Sequence, residues 1–138
     1  LESRQQLLTP LRSLPALRRL GIVLLEGSLS PFLEDLVRMP LTHLRLSCEE
    51  LTTADVERLA GMPSLRELDL TGVQFDDPDA TVAKLAKMKG CKRLGIAYCN
   101  LGFLRRQRLV DALPGCLIEH ASRSWDGTML LIGESAAR

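Results

Sequence analysis

The stretch Leu65-Arg66-Glu67-Leu68-Asp69-Leu70 decides the architecture, because its apolar-x-x-apolar-x-apolar form recurs along the chain. Leu17-Arg18-Arg19-Leu20-Gly21-Ile22, Leu41-Thr42-His43-Leu44-Arg45-Leu46 and Cys91-Lys92-Arg93-Leu94-Gly95-Ile96 have the same form. The central leucines Leu20, Leu44, Leu68 and Leu94 follow one another at intervals of 24, 24 and 26 residues. A period of about 20–29 residues marks structural units that stack. One such unit cannot bury its apolar side alone, whereas a row of them shares a continuous core. Each copy has the length and alternation of a short strand, which puts Leu68 and Leu70 on one face and Glu67 and Asp69 on the other.

A helical pattern follows each copy. Ser30-Pro31 opens the first, with serine placed to cap free N–H groups and proline suited to an early helical position. Phe32, Leu33, Leu36 and Val37 form its apolar face. Thr52 or Thr53 opens the second, and Thr52 and Asp55 have capping-box spacing; Val56, Leu59 and Ala60 point inward. Asp77-Pro78 opens the third, with Val82, Leu85, Ala86 and Met88 inside. The fourth runs from about Phe103 to Leu113 on a stripe of Leu104, Leu109, Val110 and Leu113. Pro15, Pro40, Pro63 and Pro114 stand just ahead of strands, where proline ends a helix and favours extended backbone before it. Leu7, Leu8, Leu11 and Leu14 have one-face helical spacing, so residues 2–14 read as a helix that serves as an incomplete first repeat or a cap.

After Pro114 two registers compete. One puts Cys116 first and Glu119 inside; the other puts Leu113, Cys116 and Ile118 inside and suits the apolar pattern better. Ser124-Trp125-Asp126-Gly127 reads as a turn and Thr128 to Ile132 as a strand, expected to close the sheet edge as a hairpin with Trp125 packed on the last repeat. Residues 1–121 are thus expected to form the stacked body, and 122–138 a C-terminal cap and tail.

These motifs resemble the leucine-rich repeat family over about Leu7 to Ala121. Cys91-x-x-Leu94-x-Ile96-x-x-Cys99-x-Leu101 is similar to its cysteine-containing subtype, and the long helical half of each repeat is similar to ribonuclease-inhibitor-like members. The resemblance implies an α/β right-handed solenoid of about five repeats, with a parallel sheet on the concave face and helices on the convex face. It also implies binding to other proteins. The family's loop ladder falls on Leu25, Glu49 and Val73 in the other repeats, so irregular loops are expected there.

Composition narrows the function. Of 138 residues 46% are apolar, and 18 Lys and Arg balance 17 Asp and Glu, so no global charge draws the chain to nucleic acid or membrane. An aromatic content of 4% leaves few base-stacking platforms, and Arg105, Arg106 and Arg108 read as a solvated face. No apolar run is long enough to span a bilayer. No signal peptide is visible, and without an initiator methionine the chain is expected to be a processed product or a piece of something longer. Cys48, Cys91, Cys99 and Cys116 form no C-x-x-C pair, and His43 and His120 are far apart, which argues against a metal site. Reduced thiols fit an intracellular, cytoplasmic setting. His43 and Cys48 lack a third orienting residue, and no phosphate-binding loop or cofactor motif is present, so a non-catalytic role without cofactors is expected.

The face opposite the leucines is the candidate site. It carries Arg19, His43, Arg45, Glu67, Asp69 and Arg93, with Tyr98 just beyond. Arginine and tyrosine are favoured at binding hot spots. The expected partner is another protein, through an acidic segment; alternatively, Glu67 and Asp69 pair with Arg45, Arg66 and Arg93 across strands. The alternative role is structural: an assembly component, or a fragment of a larger protein, whose open N-terminal edge docks on a neighbouring domain or subunit.

Overall fold

The computed structural model describes residues 16–121 and 124–132. The proposed helix over 2–14 and Pro15 lie outside them. Within them the chain runs β1 (Arg19–Leu24), α1 (Ser30–Leu36), β2 (His43–Ser47), β3 (Glu50–Leu51), α2 (Thr53–Ala60), β4 (Glu67–Asp69), β5 (Gln74–Phe75), α3 (Pro78–Leu85), β6 (Arg93–Gly95), α4 (Gly102–Ala112), β7 (Leu117–Glu119) and β8 (Thr128–Ile132). It is a mixed α/β fold. A six-stranded parallel sheet has the order β7-β6-β4-β2-β1-β8, and β3 and β5 form a second, two-stranded one.

The register follows the repeating leucines. Leu20 pairs with Leu44, Leu44 with Leu68, Leu68 with Leu94 and Leu94 with Ile118. All five are buried, as are Ile22, Leu46, Leu70 and Ile96 two residues on. Of the two registers after Pro114, the one that buries Leu113 and Ile118 is present, and Glu119 faces the other way. Strand entrances repeat one hydrogen-bond figure: Thr42 and His43 N–H both donate to Arg18 O, Arg66 and Glu67 to Thr42 O, and Lys92 and Arg93 to Arg66 O. The helices bury Phe32, Leu33, Leu36, Val56, Leu59, Val82, Leu85 and Leu109 against the leucine columns in one cluster. Met39, Met62 and Met88 close the helix-to-strand turns, each N–H donating to the carbonyl three residues back. An unbranched thioether fills such irregular gaps well.

Helix starts are partly as the sequence indicates. Thr52 and Asp55 form the full capping box, and Asp77 caps α3 by accepting from Ala80 N–H. Ser30 does not cap α1. Leu29 takes the cap position, and the Ser30 hydroxyl instead donates to Asp55 Oδ1 at 2.8 Å, tying α1 to α2. On α4, Leu109 and the following Leu113 are buried, but Leu104 is 73% exposed and Val110 41%. The physical reason is position: α4 is the last helix among the described residues, so its outer side has no helix to meet.

The loops after β2 and β4 are regular where irregular ones were expected, whereas residues 25–29 after β1 form no strand. β3 and β5 pair Glu50 with Gln74 and Leu51 with Phe75. Asn100 extends this ladder with its side chain, accepting from Phe75 N–H at 2.8 Å and donating to Phe75 O at 2.9 Å. Cys99 donates its thiol to Leu70 O at 3.0 Å.

The largest departure is β8. It forms no hairpin on β7 but pairs in parallel along the outer edge of β1, Leu20 opposite Thr128 through Leu24 opposite Ile132. Ile132 is fully buried there. The N-terminal edge, which the assembly alternative takes to be open, is therefore occupied by the chain's own last strand. Among the described residues no helix is long and apolar enough to cross a membrane.

If Leu68 is the centre of the shared column, Leu68→Ala should cost about 2–5 kcal/mol, the range for a buried leucine that leaves a cavity. Urea unfolding measures it, and a midpoint equal to that of the unsubstituted protein would contradict the register.

Candidate functional site

Strand alternation and the register put two rows of side chains on the sheet face away from the helices. The first row is Arg19, His43, Glu67, Arg93 and Leu117; the second is Gly21, Arg45, Asp69, Gly95 and Glu119. Opposite charges at adjacent positions pair across strands. Arg45 grips Asp69 Oδ2 with Nη2 at 2.8 Å and Nε at 3.0 Å, both side chains about four-fifths buried. Asp69 also accepts from Thr71 N–H through Oδ1. His43 Nε2 lies 3.3 Å from Glu67 Oε2, and its Nδ1 is 2.7 Å from the Thr42 hydroxyl. Arg93 spans both rows, 3.7 Å from Glu67 and 3.4 Å from Glu119. Arg66 turns away to the Pro63 and Leu65 carbonyls.

Residues 124–127, which lead into β8, lie over this same face. Trp125 stacks on Arg45, whose Cζ is 5.3 Å from the ring centre. Asp126 pairs with Arg19 at 3.3 Å. Two glycines make the approach sterically open. A Cβ on Gly21 would come within 2.7 Å of Met129 Sδ and 3.2 Å of Trp125 Nε1, and one on Gly127 within 2.8 Å of the Trp125 ring and of Arg19 Cβ. Trp125 Nε1–H donates to Thr128 O at 3.3 Å. Between this strap and the sheet lies a cavity of ≈ 220 Å³, with Asp69, Gly95, Arg93 and Glu119 on its sheet side. It is below the roughly 300–1,000 Å³ usual for a small-molecule pocket.

Six of the seven candidate residues therefore share one surface. Tyr98 does not join it: it stands in the loop after β6, 77% exposed, with a φ of 61°. Glu119, Trp125 and Asp126 belong to the face and were not among the candidates. The first was signalled by the register that buries Ile118. The other two carried no periodic signal; Gly21 in the second row was the clue that something lies close above, whereas the space at Gly95 is taken by Asp69. With Glu119 and Asp126 included, Arg19, Arg45 and Arg93 meet four carboxylates. The face is arginine-bearing but not net basic.

Other groups are tied up elsewhere. Arg105 donates to Asp79 at 2.7 Å and Arg108 at 3.4 Å, so the basic cluster on α4 is latched to the start of α3. The Arg105 contact holds the Asp79 carboxyl below its usual range. Burial pushes the Cys48 thiol up to about 11, and does the same to Cys99, also to about 11. Cys91 and Cys116 lie together at the entrances of β6 and β7: their thiol–thiol hydrogen bond holds Cys91 down at about 7 and pushes Cys116 up. No group of three His, Cys, Asp or Glu among the described residues is arranged to hold a metal ion. No family model and no curated protein matches the chain.

Replacing Gly21 with valine should drive Trp125 off the face. As Trp125 is the single tryptophan, its emission should shift to the red and acrylamide quenching should rise; emission unchanged from the parent would refute the close approach. Alkylation gives a second check. Cys48 and Cys99 hold almost no thiolate at pH 8, since both folded values are raised to about 11. Their iodoacetamide rates should keep climbing past pH 9, and a plateau by pH 9 would contradict the burial effect.

Proposed function

We propose that the chain is a non-catalytic protein-interaction module of the leucine-rich-repeat kind: a right-handed solenoid whose polar sheet face is concave and receives a partner. The support for stacked repeats is the leucine register, with offsets of 24, 24, 26 and 24 residues from Leu20 to Ile118. About five repeats fit that register, counting one for each of β1, β2, β4, β6 and β7. The observation that carries the interaction reading is the contrast between the two faces of one sheet. One carries the leucine columns and is covered by helices. The other holds Arg19, His43, Arg45 and Arg93 paired with the carboxylates of Asp126, Glu67, Asp69 and Glu119, beside an aromatic ring. Side chains held in this way lose little freedom when a partner arrives, which is how preorganised surfaces gain affinity.

Chemistry at Thr42, His43 and Glu67 has less support. Hydroxyl, imidazole and carboxylate do stand in line. Catalysis of acyl transfer needs free amides beside the nucleophile, and the Thr42 and His43 N–H groups both donate to Arg18 O. An assembly role through an open first strand also has less support, because β8 takes that edge. Bulk acidity in the partner is disfavoured by Glu67, Asp69 and Glu119; a single acidic group aimed at one arginine is not.

A photo-crosslinking amino acid at Ser47, exposed on the polar face, should capture a partner species from source lysate that the same label at Glu57 on α2 does not. Arg45→Gln should reduce the Ser47 product severalfold in folded protein. Equal capture from both positions, or capture indifferent to Arg45, would remove the polar face as the binding surface.

A further inference from the structure

We propose that the Ser124–Gly127 strap is a built-in occupant of the binding face, and that the partner segment carries an aromatic residue followed by an acidic one, which displaces Trp125 and Asp126 from Arg45 and Arg19. The proposal rests on the polar face being the interaction surface.

Three observations carry it. First, the strap is seated as a ligand is: Trp125 stacks on the Arg45 guanidinium with 5.3 Å to its ring centre, and Asp126 reaches Arg19 at 3.3 Å. An aromatic ring and a carboxylate one residue apart thus meet two arginines on neighbouring strands. A guanidinium recognises both groups, the ring face through its quadrupole and the carboxylate through charge. Second, the face is shaped for a ring. Gly21 leaves room both for Met129 of β8 and for the ring: a Cβ there would come within 2.7 Å of Met129 Sδ and 3.2 Å of Trp125 Nε1.

Third, the strap and the strand it leads into are held by different means. β8 is fixed by its pairing with β1 and by Ile132, which is fully buried. The strap puts no side chain in the core: Trp125 is half-buried and Asp126 is 83% exposed. Segments with few buried contacts open locally while their neighbours stay folded. The strap can therefore lift with β8 in place, leaving Arg45, Arg19 and the cavity over Gly95 available to one segment of like chemistry. A tethered occupant competes at an effective concentration in the millimolar range. A partner's apparent affinity falls in proportion to the fraction of molecules whose strap is closed.

The test uses two peptides with blocked ends. A fluorescein-labelled Ser-Arg-Ser-Trp-Asp-Gly-Thr peptide is titrated into the parent protein and into Trp125→Ala/Asp126→Ala, followed by anisotropy. The opened variant should bind at least about tenfold more tightly, as expected when an occupant at millimolar effective concentration is removed. Adding Arg45→Ala should abolish the gain. Equal affinity for parent and variant, or a gain that survives Arg45→Ala, overturns the proposal. To guard against misfolding of the variant, an unlabelled Ser-Arg-Ser-Phe-Asp-Gly-Thr peptide is titrated into the parent protein. A red shift of Trp125 emission supports displacement, and unchanged emission at saturating peptide counts against it. Ser47 crosslinking that still depends on Arg45 while both peptide arms fail would retain the interaction face and discard the strap as its occupant. Loss of that crosslinking with both peptide arms positive would do the reverse.

Discussion

Everything in this fold depends on the column of Leu20, Leu44, Leu68, Leu94 and Ile118 arriving at the same height in a parallel sheet. Because side chains alternate along a strand, a slip of one residue would send Leu68 to the polar face and Glu67 into the core. The spacing between Leu68 and Leu94 is two residues longer than the others, yet the register holds. The extra residues are absorbed outside the paired segments. α2 and α3 each span eight residues, and Glu50 and Gln74 stand at the same distance beyond Leu44 and Leu68. Both extra residues fall between Phe75 and Val82, around the start of α3, because Val56 and Val82, Leu59 and Leu85, and Met62 and Met88 already match at an offset of 26. Loops take up insertions that a core column cannot.

The same alternation that buries the leucines writes the opposite face. Once Leu44 and Leu46 are fixed inward, His43 and Arg45 must point outward, and each meets the residue that the next repeat supplies. The largely buried Arg45–Asp69 pair shows why a substitution at Arg45 is no neutral probe of binding. Removing one member of such a pair strands the other, with a cost of about 1.5–3 kcal/mol for a charged hydrogen bond. Arg45 therefore serves the sheet as well as any partner.

Register, helix starts and the polar rows were legible because each is periodic or local. Thr52 and Asp55 announce a helix by their own spacing, and the last strand's register follows from Leu113 and Ile118. Ser30 misled because its hydroxyl found a better acceptor in Asp55, a contact between repeats. Leu104 and Val110 misled because a helical stripe tells which side could be buried, not whether a neighbour exists to bury it. β8 was illegible for a stronger reason: its partner Leu20 lies 108 residues earlier, at position 20 against Thr128. Consecutive strands usually lie side by side, and nothing in Thr128–Ile132 marks it as an exception. Trp125 and Asp126 joined the site only through that pairing.

The route of the return also has a physical logic. Strands β1, β2, β4, β6 and β7 advance across the sheet with helices on one side; β8 must travel back the other way. Reversing both the direction and the side keeps the hand of a crossover unchanged, and parallel crossovers overwhelmingly share one hand. A return over the helix side would break that rule and meet α1–α4. Five strand spacings amount to about 24 Å, and the nine peptide steps from Glu119 to Thr128 reach at most about 32 Å. The link is therefore just long enough to pass over the polar face. The chain's need to cover the edge of β1 is what lays an aromatic and an acidic residue over Arg45 and Arg19. Edge protection and occupation of the candidate site are two consequences of one crossing.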